Sequence, residues 1–421
     1  MSQQKVSRNL AQVKRGALHI GVDLGLENNV AIVISDNAER LDRFRFSNDR
    51  DGYEYFQRRI DKLQRENKTP EVMVAMEPTN YLWKLLASDL EQKGIAYRLV
   101  NAYTVKKHRE GDQLDRSKDD PRDAFTIADL SRTGKCTETQ LQHGAYAELR
   151  QYISLYYRLK RQVRREKQHI WHAVGQLFPE LPRVFRDITG ETAKAILVTQ
   201  AAALEIRKMS EEEFIASIRC RFDGKRLYVS RLRSAYRLAV NSVGVNHGVQ
   251  ALQLALKLHV ESLNRLLIQE KQLVNALQAC FLSLPEANSL LSVKGIGILA
   301  GATILAEIGD PTRFRHAGQL VKLAGIQPTP NRSGRKQRSA TPMSHQGRPR
   351  LRSALYFTCL RLIQVDQRFA IHYHRLQHRK KNPLTKMQAV GVLMNKLLHI
   401  LWALIKKQSL YQPLYVRTLE T

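Results

Sequence analysis

Only four cysteines occur in 421 residues, Cys136, Cys220, Cys280 and Cys359, and no two form a CxxC pair. That excludes a zinc knuckle and a disulfide framework, and a reducing cytoplasm is the expected setting. The first sixteen residues, MSQQKVSRNLAQVKRG, lack the apolar stretch of a signal peptide. The most apolar late segment, AVGVLMNKLLHILWALI, is broken by Asn395, Lys396 and His399, so it reads as a buried helix and no membrane partner is expected. Acids are scarce as well: 39 Asp and Glu face 68 Lys and Arg, a formal charge of +29. Between Asp310 and Glu420 the only acid is Asp366, against 21 Lys and Arg. A solvated face normally mixes signs. A segment this short of acids points to phosphate contacts along a nucleic acid.

What is present organises into an α/β beginning and an all-α remainder. After a basic tail at 1–16, residues 17–47 read as three short strands, ALHIGVDLG, NVAIVIS and a more polar one near LDRFRF. A helix follows from about Arg50 to Asn67, with Phe56, Ile60 and Leu63 on one face. EVMVAME is an apolar strand suited to burial on both faces, YLWKLLASDLEQKG a helix stopped at Gly94, and AYRLV a fifth strand. PRDAFTIADLSR opens a helix with Pro121 at an early position. The order βββαβαβα over 17–140 is that of an RNase H-like domain.

Residues 141–287 read as a helical region. Leu149, Ile153, Tyr156, Leu159 and Val163 recur at helical spacing, as do Leu252, Leu256, Leu263, Leu267 and Leu277. These two stretches pair as an antiparallel coiled coil or dimer interface, or else belong to an ordinary bundle. An insertion at about 180–245 contains Ser210-Glu211-Glu212-Glu213, a capping-box pattern. The three tryptophans, Trp83, Trp171 and Trp402, sit on apolar helical faces and are expected in the core. His374 and His378 lie four apart on a helix beside His372 but have no evident third zinc ligand. Residues 288–421 form a basic helical domain. It opens with LLSVKGIGILAGATILAEIGD, where Gly295 and Gly297 make a turn like that of a helix-hairpin-helix, whose backbone N–H groups can hold a phosphate.

Two constellations carry chemistry. Asp23 ends the first strand and Glu77 ends EVMVAME; in an RNase H-like sheet those strands are neighbours. Asp120 and Asp123 start a helix three residues apart and can face one side. Four carboxylates in one cleft repel unless divalent cations sit among them, and two Mg²⁺ ions suit hard oxygen ligands. Each acid also has a plain reading as a turn or helix-start residue, and Asp112, Asp115 and Asp119 compete for the same place. The second constellation is GIQPTPNRSGRKQR, in a Gly-, Pro-, Ser- and Arg-rich loop from Gly325 to Arg350. Ser333 stands beside Gly334 among Arg332, Arg335, Lys336 and Arg338, with Arg348 and Arg350 downstream. Guanidinium groups can fix a phosphate there. The serine either donates a hydrogen bond to it or attacks it to form a phosphoserine ester.

In this order the two constellations resemble the DEDD transposases of insertion sequences, relatives of the Piv DNA invertases and of bridge-RNA-guided recombinases. HIGVDLGLENNVAIVI carries the first Asp, Asp23; VAMEPT carries Glu77; KDDPRDAFTIA carries Asp120 and Asp123. GIGILAGATILAEIGDPTRFRHAGQLVKLAGIQP, then NRSG and HQGRPRLRSALY, are similar to the carboxy-terminal domain of that family, with Ser333 at the nucleophile position. The resemblance covers about residues 17–133 and 288–407. The family often has Lys-Thr-Asp where this chain has Lys118-Asp119-Asp120, which leaves Asp119 beside Asp120 as a ligand choice. The resemblance implies a RuvC-like domain and a composite site in which metal-bound carboxylates of one protomer meet the serine of another. It also implies a homodimer or homotetramer, double-stranded donor and target DNA, a structured noncoding guide RNA, and a cytoplasmic place at the bacterial nucleoid. Two other readings compete: a RuvC-like junction endonuclease using metal-activated water, and a non-catalytic nucleic-acid scaffold.

Overall fold

The computed structural model describes residues 16–112, 120–136, 141–222, 226–329, 332–333, 336–337 and 342–412, without the side chains of 109–112, 120, 332–333 and 336–337. The chain divides into two compact units, Met1–Gln142 and His143–Thr421.

The first unit is built on a mixed five-stranded sheet: β1 (Leu18–Asp23), β2 (Asn28–Ile34), β3 (Arg40–Ser47), β4 (Val72–Met76) and β5 (Tyr97–Leu99). Their order is β3-β2-β1-β4-β5. β1 runs antiparallel to β2 and parallel to β4, and β5 is parallel to β4. Alternation assigns the two faces. Leu18, Ile20 and Val22 of β1 and Val74 and Met76 of β4 point to one side, where they meet Phe56, Ile60 and Leu63 of α1 (Arg50–Glu66) and Leu86 and Leu90 of α2 (Leu82–Gln92). Both strands are buried on both faces, which explains their nearly unbroken apolar sequences.

The opposite face carries α4 (Asp120–Arg132), through Ala124 and Ala128 against Val30, Ile32 and Ile34, and through Ile127 and Leu130 against Ala75. Gly21 makes this contact possible: a Cβ there would lie 3.0 Å from Ala128 Cα and closer still to the Ala124 carbonyl oxygen. A further helix, α3 (Ala102–Asp112), corrects the expected element order. Its sequence, AYTVKKHREGD, has no apolar stripe to reveal it, but the Asn101 side chain accepts from the Tyr103 N–H at 2.8 Å at its start.

The second unit is helical. Its axis is a pair of 34-residue helices, α5 (Gly144–Leu177) and α10 (Val249–Leu282), each about 50 Å long. They are antiparallel: Lys160 meets Glu270 at 3.1 Å, while Glu166, further along α5, meets His259 at 2.8 Å and Ser262 at 3.2 Å. The pair is no isolated coiled coil, because each half builds a separate core. Val163, Ile170, Val174 and Leu177 join Leu256, Val260 and Leu263 with the insertion, which holds α6 (Glu191–Thr199), α7 (Ala203–Ile206), α8 (Glu211–Arg221) and α9 (Val229–Val240). The expected capping box at Ser210 starts α8: its hydroxyl accepts from Glu213 N–H at 3.2 Å, and the Glu213 carboxylate accepts from Ser210 N–H at 2.8 Å.

Leu149, Ile153, Tyr156 and Leu159 join Leu273, Leu277 and Phe281 in the other core. That core includes α11 (Ala287–Leu291), α12 (Ile298–Ile308), α13 (Ala317–Ala324), α14 (Pro349–Val365), α15 (Gln367–His378) and α16 (Lys386–Lys407). By length and composition α16 is apolar enough to span a membrane; here Leu393, Leu397, Leu398 and Leu401 are buried in this core. Trp83 and Trp402 pack against cores, but Trp171 is 46 % exposed, contrary to expectation. It lies about 100° around α5 from Ile170, beside the buried stripe.

Candidate active site

Val22 of β1 is in register with Met76 of β4, so Asp23, the last residue of β1, and Glu77, directly after β4, are next in line on neighbouring parallel strands. Such strands lie about 4.8 Å apart. Asp23 shares its face with Gly21, and Glu77 follows Ala75, so both project on the side covered by α4. Asp123 is 8 % exposed and directly precedes Ala124, whose carbonyl abuts Gly21. The first turns of α4 thus lie against the sheet at Gly21, two residues before Asp23. Asp120 begins the same helix; its side chain lies outside the described residues. Asp115 and Asp119 lie wholly outside them, as does the side chain of Asp112. Among the described residues, no group of three or more His, Cys, Asp or Glu is gathered closely enough to hold a metal ion, and this includes the histidines of α15.

Two asparagines that the sequence reading passed over brace the loop after Asp23. Asn29 is fully buried; its Nδ2 donates to Asn48 Oδ1 at 2.7 Å, and its Oδ1 accepts from Gly25 N–H at 3.2 Å. Asn48 Nδ2 in turn donates to the Gly25 carbonyl at 2.6 Å and the Leu26 carbonyl at 3.0 Å. The available signal was a polar Asn29 inside the otherwise apolar strand NVAIVI. Such a network fixes the chain direction directly after Asp23.

Over its described residues, the loop expected from Gly325 to Arg350 is a β-hairpin-like excursion. Ser344 N–H donates to Gln327 O at 3.0 Å and Thr329 N–H to Pro342 O at 2.8 Å, and Pro328 bridges Met343. Further out, β6 (Arg332–Ser333) pairs with β7 (Lys336–Gln337), Ser333 opposite Lys336. Ser333 therefore stands at the outermost described pair of the hairpin. Gly334, Arg335 and Arg338 lie outside the described residues, as do the side chains of Arg332, Ser333 and Lys336. At the base, Gly325 (φ +68°) and Gly347 come so close that a Cβ on Gly325 would sit 2.9 Å from the Gly347 nitrogen. The hairpin therefore leaves the helical core between two glycines.

Of the remaining basic candidates, Arg348 is partly buried, donates to the Glu307 carbonyl and lies 3.8 Å from the Glu307 carboxylate. Arg350 donates to Ser154 Oγ at 3.0 Å. Gly295 and Gly297 lie between α11 and α12. A Cβ on Gly295 would meet Leu362 Cγ at 2.9 Å, so this glycine serves close packing against α14, while the exposed Gly297 precedes α12 as its N-cap.

A DEDD-type IS110 family model described as transposase matches residues 20–179, and one described as transposase IS116/IS110/IS902 family matches 287–374. Together they span more than half of the chain. The chain is 26 % identical over 332 residues to the transposase assigned to the IS117 mini-circle of Streptomyces coelicolor, covering 75 % of this chain and 77 % of that protein. It is 33 % identical over 129 residues to an uncharacterised 42 kDa protein of insertion element IS900 of Mycobacterium paratuberculosis, 30 % of this chain and 31 % of that protein. An α/β sheet ending in paired acids, a basic helical unit and these matches lead to one assignment: the chain belongs to the IS110/IS116 family of DEDD transposases, enzymes of insertion-sequence mobility that cut and rejoin DNA.

Proposed function

We propose that the chain breaks and rejoins DNA with the carboxylates Asp23, Glu77, Asp120 and Asp123 and the nucleophile Ser333, on an RNase H-like, RuvC-like first unit and a serine-bearing second unit. The observation that carries the reading is the register of β1 and β4, which sets Asp23 beside Glu77 on the face held by α4. This pair fits Mg²⁺, which takes one or two carboxylates and completes its shell with water and substrate phosphate oxygens. Asp120 and Asp123, in the first turn of α4, are the acids that extend the set toward two ions. When bound, the ions neutralise charge developing on the phosphate.

The Ser333 hydroxyl attacks phosphorus: an Oγ–P bond forms, one P–O ester bond breaks, and the leaving oxygen takes a proton as a hydroxyl end. Attack on the phosphoserine by another DNA hydroxyl restores the serine and rejoins the strands, so no ATP is needed. Arg332, Arg335, Lys336 and Arg338 suit the transferring phosphate, and the Gly295–Gly297 turn suits a backbone phosphate in the manner of a helix-hairpin-helix. Donor and target duplexes are the substrates, a structured RNA is the guide, and the working form is a homodimer or homotetramer.

The test is to trap the protein–DNA adduct and map it by mass spectrometry. Attachment at Ser333, lost in Ser333→Ala and in Asp23→Ala, is expected. An adduct elsewhere sinks the serine step, and metal-dependent cutting that survives Ser333→Ala favours hydrolysis by metal-activated water.

A further inference from the structure

Four arginines from three parts of the second unit gather near a single buried acid. Glu307, near the end of α12, is almost wholly buried. Arg348 Nη1 lies 3.8 Å and Arg350 Nη1 3.9 Å from its carboxylate. Arg150, on α5, lies within electrostatic reach of the same acid, and Arg313, just after α12, within reach of Arg150 and Arg348. Among the described residues, Glu307 is the one acid recorded as an ion-pair partner of these arginines, with Arg348 and Arg350, which leaves an excess of positive charge in a partly buried place.

Such an excess is costly unless an anion completes it. Burial, with Arg150 next, pushes Arg348 down to about 10, and burial likewise lowers Arg150, with Arg350 and Arg313 adding to the effect. The cluster is nevertheless stiffly built. The guanidinium of Arg350 lies 5.3 Å over the Tyr157 ring and donates to Ser154 Oγ, and that of Arg313 lies 5.7 Å over the Phe314 ring. Arg348 is engaged with Glu307 and its carbonyl. A guanidinium held near a ring keeps N–H groups free to meet a tetrahedral oxyanion.

We propose that Arg150, Arg313 and Arg350, organised by Glu307 and Arg348, form a phosphodiester-binding site that includes no residue of the Ser333 hairpin. It rests on the reading that this chain binds nucleic acid and adds a second place where the backbone is gripped. Its ligand is the phosphodiester that DNA and RNA share. Three charges suit consecutive phosphates of one strand.

The test measures the affinity of the full-length chain for a labelled duplex DNA and, separately, for a labelled hairpin RNA, across a salt series. Each phosphate contact contributes about 0.9 to the log–log salt slope on duplex DNA and about 0.7 on single strands. Arg150→Gln and Arg313→Gln should each lower the slope by about that amount on the nucleic acid that occupies the site, while Arg313→Lys keeps it. Lys62→Gln, at a lysine paired with Glu66 in the first unit, is the control and should leave the slope unchanged. Melting curves establish folding, and if Arg150→Gln fails to fold, Arg313→Gln and Arg313→Lys decide. A loss on DNA alone or RNA alone names the source. Unchanged slopes on both, with the wild type binding tightly, overturn the site and leave the transposase reading intact; a wild type that binds neither probe overturns both.

Discussion

Replacing Gly21 by alanine tests whether packing between β1 and α4 sets the carboxylate geometry. Residue 21 is buried within the sheet, two positions before Asp23. The added methyl would lie 3.0 Å from Ala128 Cα and nearer to the Ala124 carbonyl oxygen and the Ala128 nitrogen, against an ordinary contact beginning at 3.4 Å. These are backbone atoms of one helix, so no side chain can turn aside. The helix must withdraw by roughly 1 Å, carrying Asp120 and Asp123 with it. Overpacking of this kind costs about 1–3 kcal/mol, while alanine for glycine in the unfolded chain returns about 0.4–1 kcal/mol. The net is about 1–2 kcal/mol, or roughly 3–8 °C in the melting temperature of a unit this size. The catalytic effect should be larger, because a displacement of about 1 Å can lower a positioned reaction about a hundredfold. Binding should survive, since the basic candidate contacts lie in the second unit. The assay is therefore metal-dependent strand cleavage under single-turnover conditions, beside a melt and a binding isotherm. Wild-type cleavage by a Gly21→Ala chain with an unchanged melt would refute the claim that α4 positions the acids through this contact.

His19 gives a pH dependence. It is 1 % exposed, and burial lowers its pKa below 6.5 despite the Asp36 carboxylate 3.3 Å away. The unfolded chain then binds the proton more readily, so stability is lost as pH falls below about 6.5 toward the folded value. Melts at pH 7 and pH 5 should show a larger drop for the wild type than for His19→Gln; equal drops would count against it. Ser210→Ala should cost about 0.5–2 kcal/mol through loss of the α8 cap, with cleavage unchanged, and an unaltered urea midpoint would contradict the capping role. Leu256→Ala and Leu277→Ala, both fully buried on α10 but in different cores, should each cost about 2–5 kcal/mol. They lie about 30 Å apart along the helix, so the double variant should match the sum within about 0.5 kcal/mol, and strong coupling would show that the two cores act as one.

The five strands and most of the helices of the first unit were legible because β1, β2 and β4 are continuous apolar runs and α1 carries Phe56, Ile60 and Leu63 on one face. The same rule hid α3, where Val105 is the one buried hydrophobic residue among the described side chains. It also misplaced Leu267, which keeps the period of its neighbours on α10 yet is 38 % exposed. Leu263 belongs to one core and Leu273 to the other, so Leu267 falls between them. Periodicity reports a stripe; it cannot report that the stripe's partners change halfway along.

The site shows the same division between what is local and what is not. Asp23 and Glu77 could be read because each sits at the end of its own apolar run, and only the neighbouring of β1 and β4 had to be supplied. The hairpin carrying Ser333 looked like a loop because its pairs join residues such as Gln327 and Ser344 across polar, glycine-containing sequence with no alternation to mark them. Charge was the least transparent signal. An arginine-rich segment suggests phosphate contacts, yet Arg348 and Arg352 are drawn back onto the Glu307 and Ala324 carbonyls at the ends of α12 and α13. Meanwhile Arg150, some two hundred positions earlier, joins the same acid from α5. Which of these arginines hold helix ends depends on the carbonyls and the buried glutamate that come to lie beside them, and a composition count weighs every cation equally.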